Sequence, residues 1–139
     1  MITLIYLDSL SGINYHRVMT PFLRLKYEEG LNIHFIENFN DLKEFDLTKV
    51  DNLVTTRRVS VSNHEAFKKF LEQNQVKLIL DNDDYWILPP DNPAKKWYKE
   101  VEADNIKNTI KIADEIWSPS KFLIKEMRKI NKSAVYRLV

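Results

Sequence analysis

The 139-residue chain contains no cysteine, which excludes a disulfide scaffold, a thiol nucleophile and any thiolate metal site. Glycine is scarce: there are two, Gly12 and Gly30, so neither a G-x-G-x-x-G fingerprint nor a Walker loop can be written, and a tight dinucleotide or nucleoside-triphosphate cradle is not expected. Charge of one sign is lacking too. Lys+Arg number 21 against 20 Asp+Glu, a formal net charge of +1, so no bulk field would hold the chain to nucleic acid or to an anionic membrane. No apolar run approaches the roughly 18–20 residues that span a bilayer, and residues 1–7 carry neither a basic leader nor a cleavage site. A cytoplasmic protein with no transmembrane segment is expected. Apolar residues at 44% and charged residues at 29% suit one globular core and exclude disorder or fibrous architecture.

Short β-rich runs alternate with helical periodicity along the whole chain. Ile2–Leu7, Asn32–Ile36, Asn52–Thr55, Val76–Leu80, Glu115–Trp117 and Ala134–Val139 read as six strands. Val18, Phe22 and Leu25 mark a first helix closed by Gly30 in a left-handed cap. Ser62 and Glu65 form a capping-box pair ahead of the stripe Ala66, Phe67, Phe70 and Leu71. Trp97, Val101, Ile106, Ile110 and Ala113 mark a longer helix. Ser118-Pro119 reads as an N-cap with proline at the first helical position, ahead of Leu123, Met127 and Ile130. Between the second and third strands lies a short helix or loop. The pattern demands right-handed crossovers and one α/β domain over residues 1–139: a three-layer, Rossmann-like fold with a parallel sheet of about six strands, order 3-2-1-4-5-6, and helices on both faces.

In such sheets ligands bind beyond the carboxyl ends of the strands, where strand order reverses. With that order, the loop after strand 1 lies beside the loop after strand 4. One wall would hold Asp8, Ser9, Ser11, Gly12, Asn14, Tyr15, His16 and Arg17; the other would hold Asp81, Asp83, Asp84, Tyr85 and Trp86. Arg57 and Arg58 follow strand 3, two strand spacings or roughly 10 Å from strand 1, and could reach the rim. Three carboxylates within Asp81–Asp84 repel one another and need a cation, a donor array or open water. They serve as a metal site or sugar-hydroxyl acceptors in one reading; in the other, Asp81 caps a turn, one aspartate pairs with an arginine and the rest are solvated. Gly12 could help bind phosphate at a helix N-terminus or serve turn geometry alone. Arg17 could bind phosphate or hold Asp81 or Asp83. The histidines lack metal-ligand spacing; His16 alone falls in the crevice, and with Asp83 it is a candidate for acid–base work, no catalytic residue being fixed. Trp86, in a loop among polar neighbours, is better placed to stack on a sugar ring than Trp97, which belongs to a helical stripe. Residues 81–96 hold three of the five prolines, and loops of this length are commonly functional.

Four segments together resemble a known family. Tyr15-His16-Arg17-Val18 with Pro21 and Leu25 is similar to a Y-R-V-x-x-P-x-x-x-L helix. Strand 3 running into Thr56-Arg57, strand 4 running into Asp81-Asn82-Asp83-Asp84-Tyr85-Trp86, and Ile112–Ser120 resemble that family's strand-then-Arg, D-x-D-D and A-D-x-V-x-x-S-T elements. The chain thus resembles the N-terminal, acceptor-side domain of GT-B fold glycosyltransferases of the group 1, family 4-like kind. The resemblance implies a carbohydrate or glycan acceptor around Ser11, Gly12, Tyr15, Arg17, Arg57, Asp81, Asp83, Asp84, Tyr85 and Trp86. It implies no bound metal or other cofactor, and a nucleotide-sugar held mainly by a second domain. The family's glycine pair after strand 1 is reduced here to Ser11-Gly12. The family continues past the sixth strand into a linker, so this chain is expected to lack the donor domain. It is then inactive alone, needs that domain or a partner chain, and is open to self-association. The alternatives are a metal-dependent flavodoxin- or receiver-like signalling module, and a non-catalytic assembly protein that retains the fold.

Overall fold

The computed structural model describes residues 1–7, 14–96 and 100–136, and in it six strands form one all-parallel sheet of order β2-β1-β3-β4-β5-β6. The strands are β1 (Ile2–Tyr6), β2 (Ile33–Ile36), β3 (Val50–Thr56), β4 (Lys77–Asp81), β5 (Glu115–Ser118) and β6 (Ala134–Tyr136). Four helices join them: α1 (Thr20–Glu28), entered through a π-helical turn at Tyr15–Met19, α2 (His64–Gln73), α3 (Glu100–Ile112) and α4 (Lys121–Arg128). The β2–β3 connection carries two 3-10 turns, Phe39–Glu44 and Leu47–Lys49. No helix among the described residues is long and apolar enough to cross a membrane.

The α/β, Rossmann-like class is as the sequence predicts, but the strand order is not. The expected 3-2-1-4-5-6 is replaced by 2-1-3-4-5-6, with β3 paired to both β1 and β4. Burial explains the exchange. Val50 and Leu53 through Thr56 are all buried and suit an interior strand, whereas β2 leaves His34 and Phe35 half-exposed and takes the edge. The chain therefore crosses back over β1 through the 3-10 turns, seating Phe39 and Leu42 in one core cluster with Leu4 and Tyr6. This is the flavodoxin-like order with a sixth strand added, and its reversal point lies between β1 and β3.

Right-handed crossovers then dictate the layers. Progress from β3 to β6 sets α2, α3 and α4 on one face, where Leu71, Ile106, Ile110, Leu123, Ile124 and Met127 join Leu78, Leu80 and Ile116 in two core clusters. The single reversed step from β1 to β2 sets α1 on the other face, where Val18 packs with Ile5, Ile33, Val54 and Ile79.

Gly30 takes the left-handed conformation expected of it, φ +67°. The two predicted N-caps each shift. Asn63, not Ser62, caps α2 by accepting from the Ala66 amide at 2.9 Å, and Ser120, not Ser118, caps α4 by accepting from the Leu123 amide at 3.3 Å. Ser118 ends β5, and its hydroxyl accepts from the Ser120 amide instead. Of the predicted sixth strand, residues 137–139 lie outside the described residues, as does Trp97 of the predicted helical stripe.

The loop after β3 is fixed from beneath. The buried Val59 amide donates to Thr109 Oγ1 of α3 at 2.8 Å, and the buried His64 ring contacts the Val59 carbonyl at 3.0 Å. Replacing Thr109 by Val keeps the shape and strands a buried N–H, so Thr109→Val is expected to lower unfolding free energy by about 1–3 kcal/mol in urea titration. The amides of residues 57–60 should lose hydrogen-exchange protection ahead of the sheet.

Candidate functional site

β1, β3 and β4 end on one rim, and that rim gathers charge. Asp81, the last residue of β4, is 7% exposed at its side chain. Burying a carboxylate without a partner costs several kcal/mol, so the fold must supply a cation. Arg17, in the π-helical turn after β1, does so with two nitrogens. Nη2 donates to Asp81 Oδ1 at 2.7 Å and to Oδ2 at 3.0 Å, and Nε donates to Oδ2 at 3.1 Å. The fork matches the carboxylate as two parallel donors, a geometry lysine cannot provide. Arg17 Nε also lies 3.4 Å from Asp83 Oδ2. Burial opposes the Arg17 charge, but Asp81, Asp83 and Asp84 outweigh it and raise the guanidinium's pKa further. For Asp81 burial wins, lifting the carboxyl above its ordinary range although Arg17 pulls the other way.

Two buried amides hold the flanking turns. Thr56 Oγ1 donates to Asn14 Oδ1 at 2.7 Å, tying the segment after β1 to the end of β3 at the reversal point. Asn82 is fully buried. Its backbone amide donates to the Trp117 carbonyl, and its side chain receives the Asp84 amide and donates to the Asp84 carbonyl at 3.0 Å. This local turn presents Asp83 and Asp84 outward, 30% and 45% exposed. Sequence reasoning missed the positioning role of Asn82, although an asparagine two residues before Asp84 is an Asx-turn signal.

Arg57 carries strain. Its φ is +63°, while its amide donates to the Asp81 carbonyl and the Arg58 amide donates to the Thr56 carbonyl at 2.6 Å. A three-residue turn with positive φ at a non-glycine centre is rare and is concentrated at functional sites. The turn sets Arg57 Nε 3.7 Å from Asp84 Oδ2. Arg58 points the other way, pairing with Glu102 of α3.

The expected side-by-side placement of the Tyr15–Arg17 and Asp81–Asp84 stretches therefore occurs, but across β3 rather than between adjacent strands. Arg57 lies one strand from β1, not two. Of the two roles considered for Arg17, the structure shows it paired with Asp81 and within 3.4 Å of Asp83. Tyr15 and His16 are exposed, their rings edge to face. Trp86 is the clearest correction: it is 4% exposed within the α3–α4 core and offers no open face to a sugar. Its neighbour Tyr85 is half-buried, edge-on to the exposed ring of Phe122. Ser11, Gly12, Asp8 and Ser9 lie outside the described residues.

Chemically, the rim offers carboxylate acceptors and guanidinium donors already matched to one another. Among the described residues, these two arginines against three aspartates leave one net negative charge. Among the described residues no group of three or more His, Asp or Glu side chains is arranged to hold a metal ion. No protein-family model, curated protein or solved structure matches the chain.

Two measurements test this geometry. Arg57→Gly relieves the positive φ and Arg57→Ala keeps it, so the glycine variant is expected to be the more stable by about 1 kcal/mol, both having lost the same charge. Because the folded-state pKa of Asp81 is raised, at pH values between its ordinary and its raised pKa the folded state holds a proton that the unfolded state releases. Wild-type stability relative to Asp81→Asn is thus highest below the ordinary carboxylate pKa of about 4 and falls as pH rises through the raised value. Urea denaturation of both proteins across that range reads the difference directly.

Proposed function

We propose that this chain is the acceptor-binding half of a glycosyltransferase built from two Rossmann-like domains, which moves a sugar from a nucleotide-sugar to a carbohydrate acceptor. One observation carries the reading. Arg17 sits bidentate on Asp81 across the reversal point of the sheet, joining the Tyr15–Val18 and Asp81–Trp86 stretches, two of the four segments through which the chain resembles the family-4-like enzymes. The third, Thr56-Arg57, stands between them on the same rim.

The division of labour follows from this rim. Asp83 and Asp84 accept from acceptor hydroxyls, and Arg57 donates at their side. Arg17 and Asp81 are paired along one edge of the guanidinium, through Nε and Nη2, and act as the frame. The sequence has no glycine-rich loop to cradle a diphosphate, and the described ion-paired side chains of the rim carry one net negative charge, so the nucleotide-sugar belongs to a second domain, supplied by further chain or a partner. Transfer needs both reactants held in reach of one another, so the chain alone is inactive.

The reading is tested by amide NMR titration of the chain with a panel of neutral oligosaccharides and, separately, with uridine diphosphate glucose and magnesium. Carbohydrates are expected to shift amides at 14–17, 56–58 and 82–85. Asp83→Asn and Asp84→Asn, both at half-exposed positions, should weaken binding about tenfold each, the effect of losing one charge-assisted hydrogen bond. Tight binding of the nucleotide-sugar by this chain alone, or a response of these amides to magnesium and to no sugar, would overturn the reading.

A further inference from the structure

α1 is an amphipathic helix that does not close on its sheet. In a parallel sheet both faces are normally buried, and a helix over one buries its apolar stripe. Yet none of the nine residues of α1 is fully buried, and Leu25 is 38% exposed. Under the helix lies a pocket of about 220 Å³ bounded by Val18, Pro21, Phe22, Leu25, Val54 and Trp117. Arg17 and Asp81 form its remaining wall, so the pocket adjoins the charged rim.

The pocket's far wall is held in place. Trp117 Nε1 donates to Glu115 Oε1, and Glu115 Oε2 in turn receives Lys77 Nζ at 2.7 Å. This hydrogen bond favours the ring position that leaves the space open, and α1 is held at its entry by the Arg17–Asp81 pair. An apolar cavity of about 150 Å³ takes a benzene ring, so this one takes a ring with a short substituent and is too small for a helix.

We infer that the pocket is a subsite for an aryl or short alkyl group carried by the acceptor, whose sugar hydroxyls then meet Asp83 and Asp84 on the rim. The inference deepens the acceptor-binding reading and rests on it for the sugar, whereas the apolar part rests on the pocket alone. Charge complementarity selects the head group. With one net negative charge among the described ion-paired side chains beside the opening, a neutral polyhydroxyl group is favoured over a phosphate.

The experiment compares methyl β-glucoside, phenyl β-glucoside and benzyl alcohol on the intact chain. Binding is followed by the methyl resonances of Val18 and Val54 and by indole fluorescence, with Trp117→Phe identifying the contribution of that residue. Phenyl glucoside is expected to bind about tenfold or more tightly than methyl glucoside, the effect of burying one ring. It should shift both valines and change Trp117 emission. Leu25→Glu, at a position open enough to keep the fold, should bring the phenyl compound down to the affinity of the methyl one. Equal affinities in the wild type, or a phenyl advantage that survives Leu25→Glu, would overturn the inference while leaving the acceptor reading intact. Benzyl alcohol reproducing the valine shifts, with nothing added by the sugar, would uphold the pocket and overturn the carbohydrate reading. Binding of none of the three would overturn both.

Discussion

A carboxylate buried at the end of an interior strand is the constraint from which the candidate site follows. Asp81 closes β4 where the sheet leaves it almost no water, and its position between β3 and β5 gives it no route outward. The compensation comes from Arg17, sixty-four residues earlier in the chain. That pair fixes where the chain re-enters after β1 and so fixes the start of α1. The helix beyond is held by this ionic anchor and by Val18 more than by its own stripe, and its apolar residues remain half-buried above Val54 and Trp117. One long-range ion pair thus determines both the charged rim and the apolar space beside it.

What the sequence discloses is set by how local the physics is. Each strand is a short β-rich run between turn residues, so all six could be read directly. Their order could not, because it depends on which strand can bear an exposed edge. The half-exposed His34 and Phe35 on β2 decide this, and their exposure is known only once the sheet exists. The caps misread for a related reason. Ser62 and Asn63 are both competent, as are Ser118 and Ser120, and the choice falls to the extended residue that immediately precedes the first helical one. The acid cluster was legible because three carboxylates in four residues require compensation, and Arg17 and Arg57 were among the few cations whose strand positions could reach them.

Trp86 marks where that logic ends. Aspartates precede it closely and two prolines follow within four residues, which reads as open loop, yet the ring belongs to one core cluster with Leu80, Ile106, Ile110 and Met127. Asn82 supplies the reason. Its amide groups grip Asp84, its side chain lies 3.6 Å from Met127 Sδ, and the turn they form swings the chain back toward the α3–α4 core. A polar residue spent on turn geometry thus drives an aromatic inward, and the aspartates between them face out. The pattern of hydrophobicity along residues 81–86 contains both residues but not their coupling.

The strain at Arg57 and the pairing of Arg17 belong to the same design. A residue held at positive φ and a guanidinium with one edge fixed on a carboxylate are both ordered before any ligand arrives, so less further ordering is needed on binding. Such a rim discriminates by what it would have to give up. An anion that took the paired edge of Arg17 would have to displace Asp81, leaving a carboxylate buried. A divalent ion would have to draw the rim aspartates from their guanidinium partners. A neutral hydroxyl asks for neither exchange: it donates to the outward lone pairs of Asp83 or Asp84 and leaves every existing pair in place. Under the proposed acceptor role, a preference for a polyhydroxylated, uncharged ligand would follow from the cost of the alternatives, which the internal pairing of the site imposes.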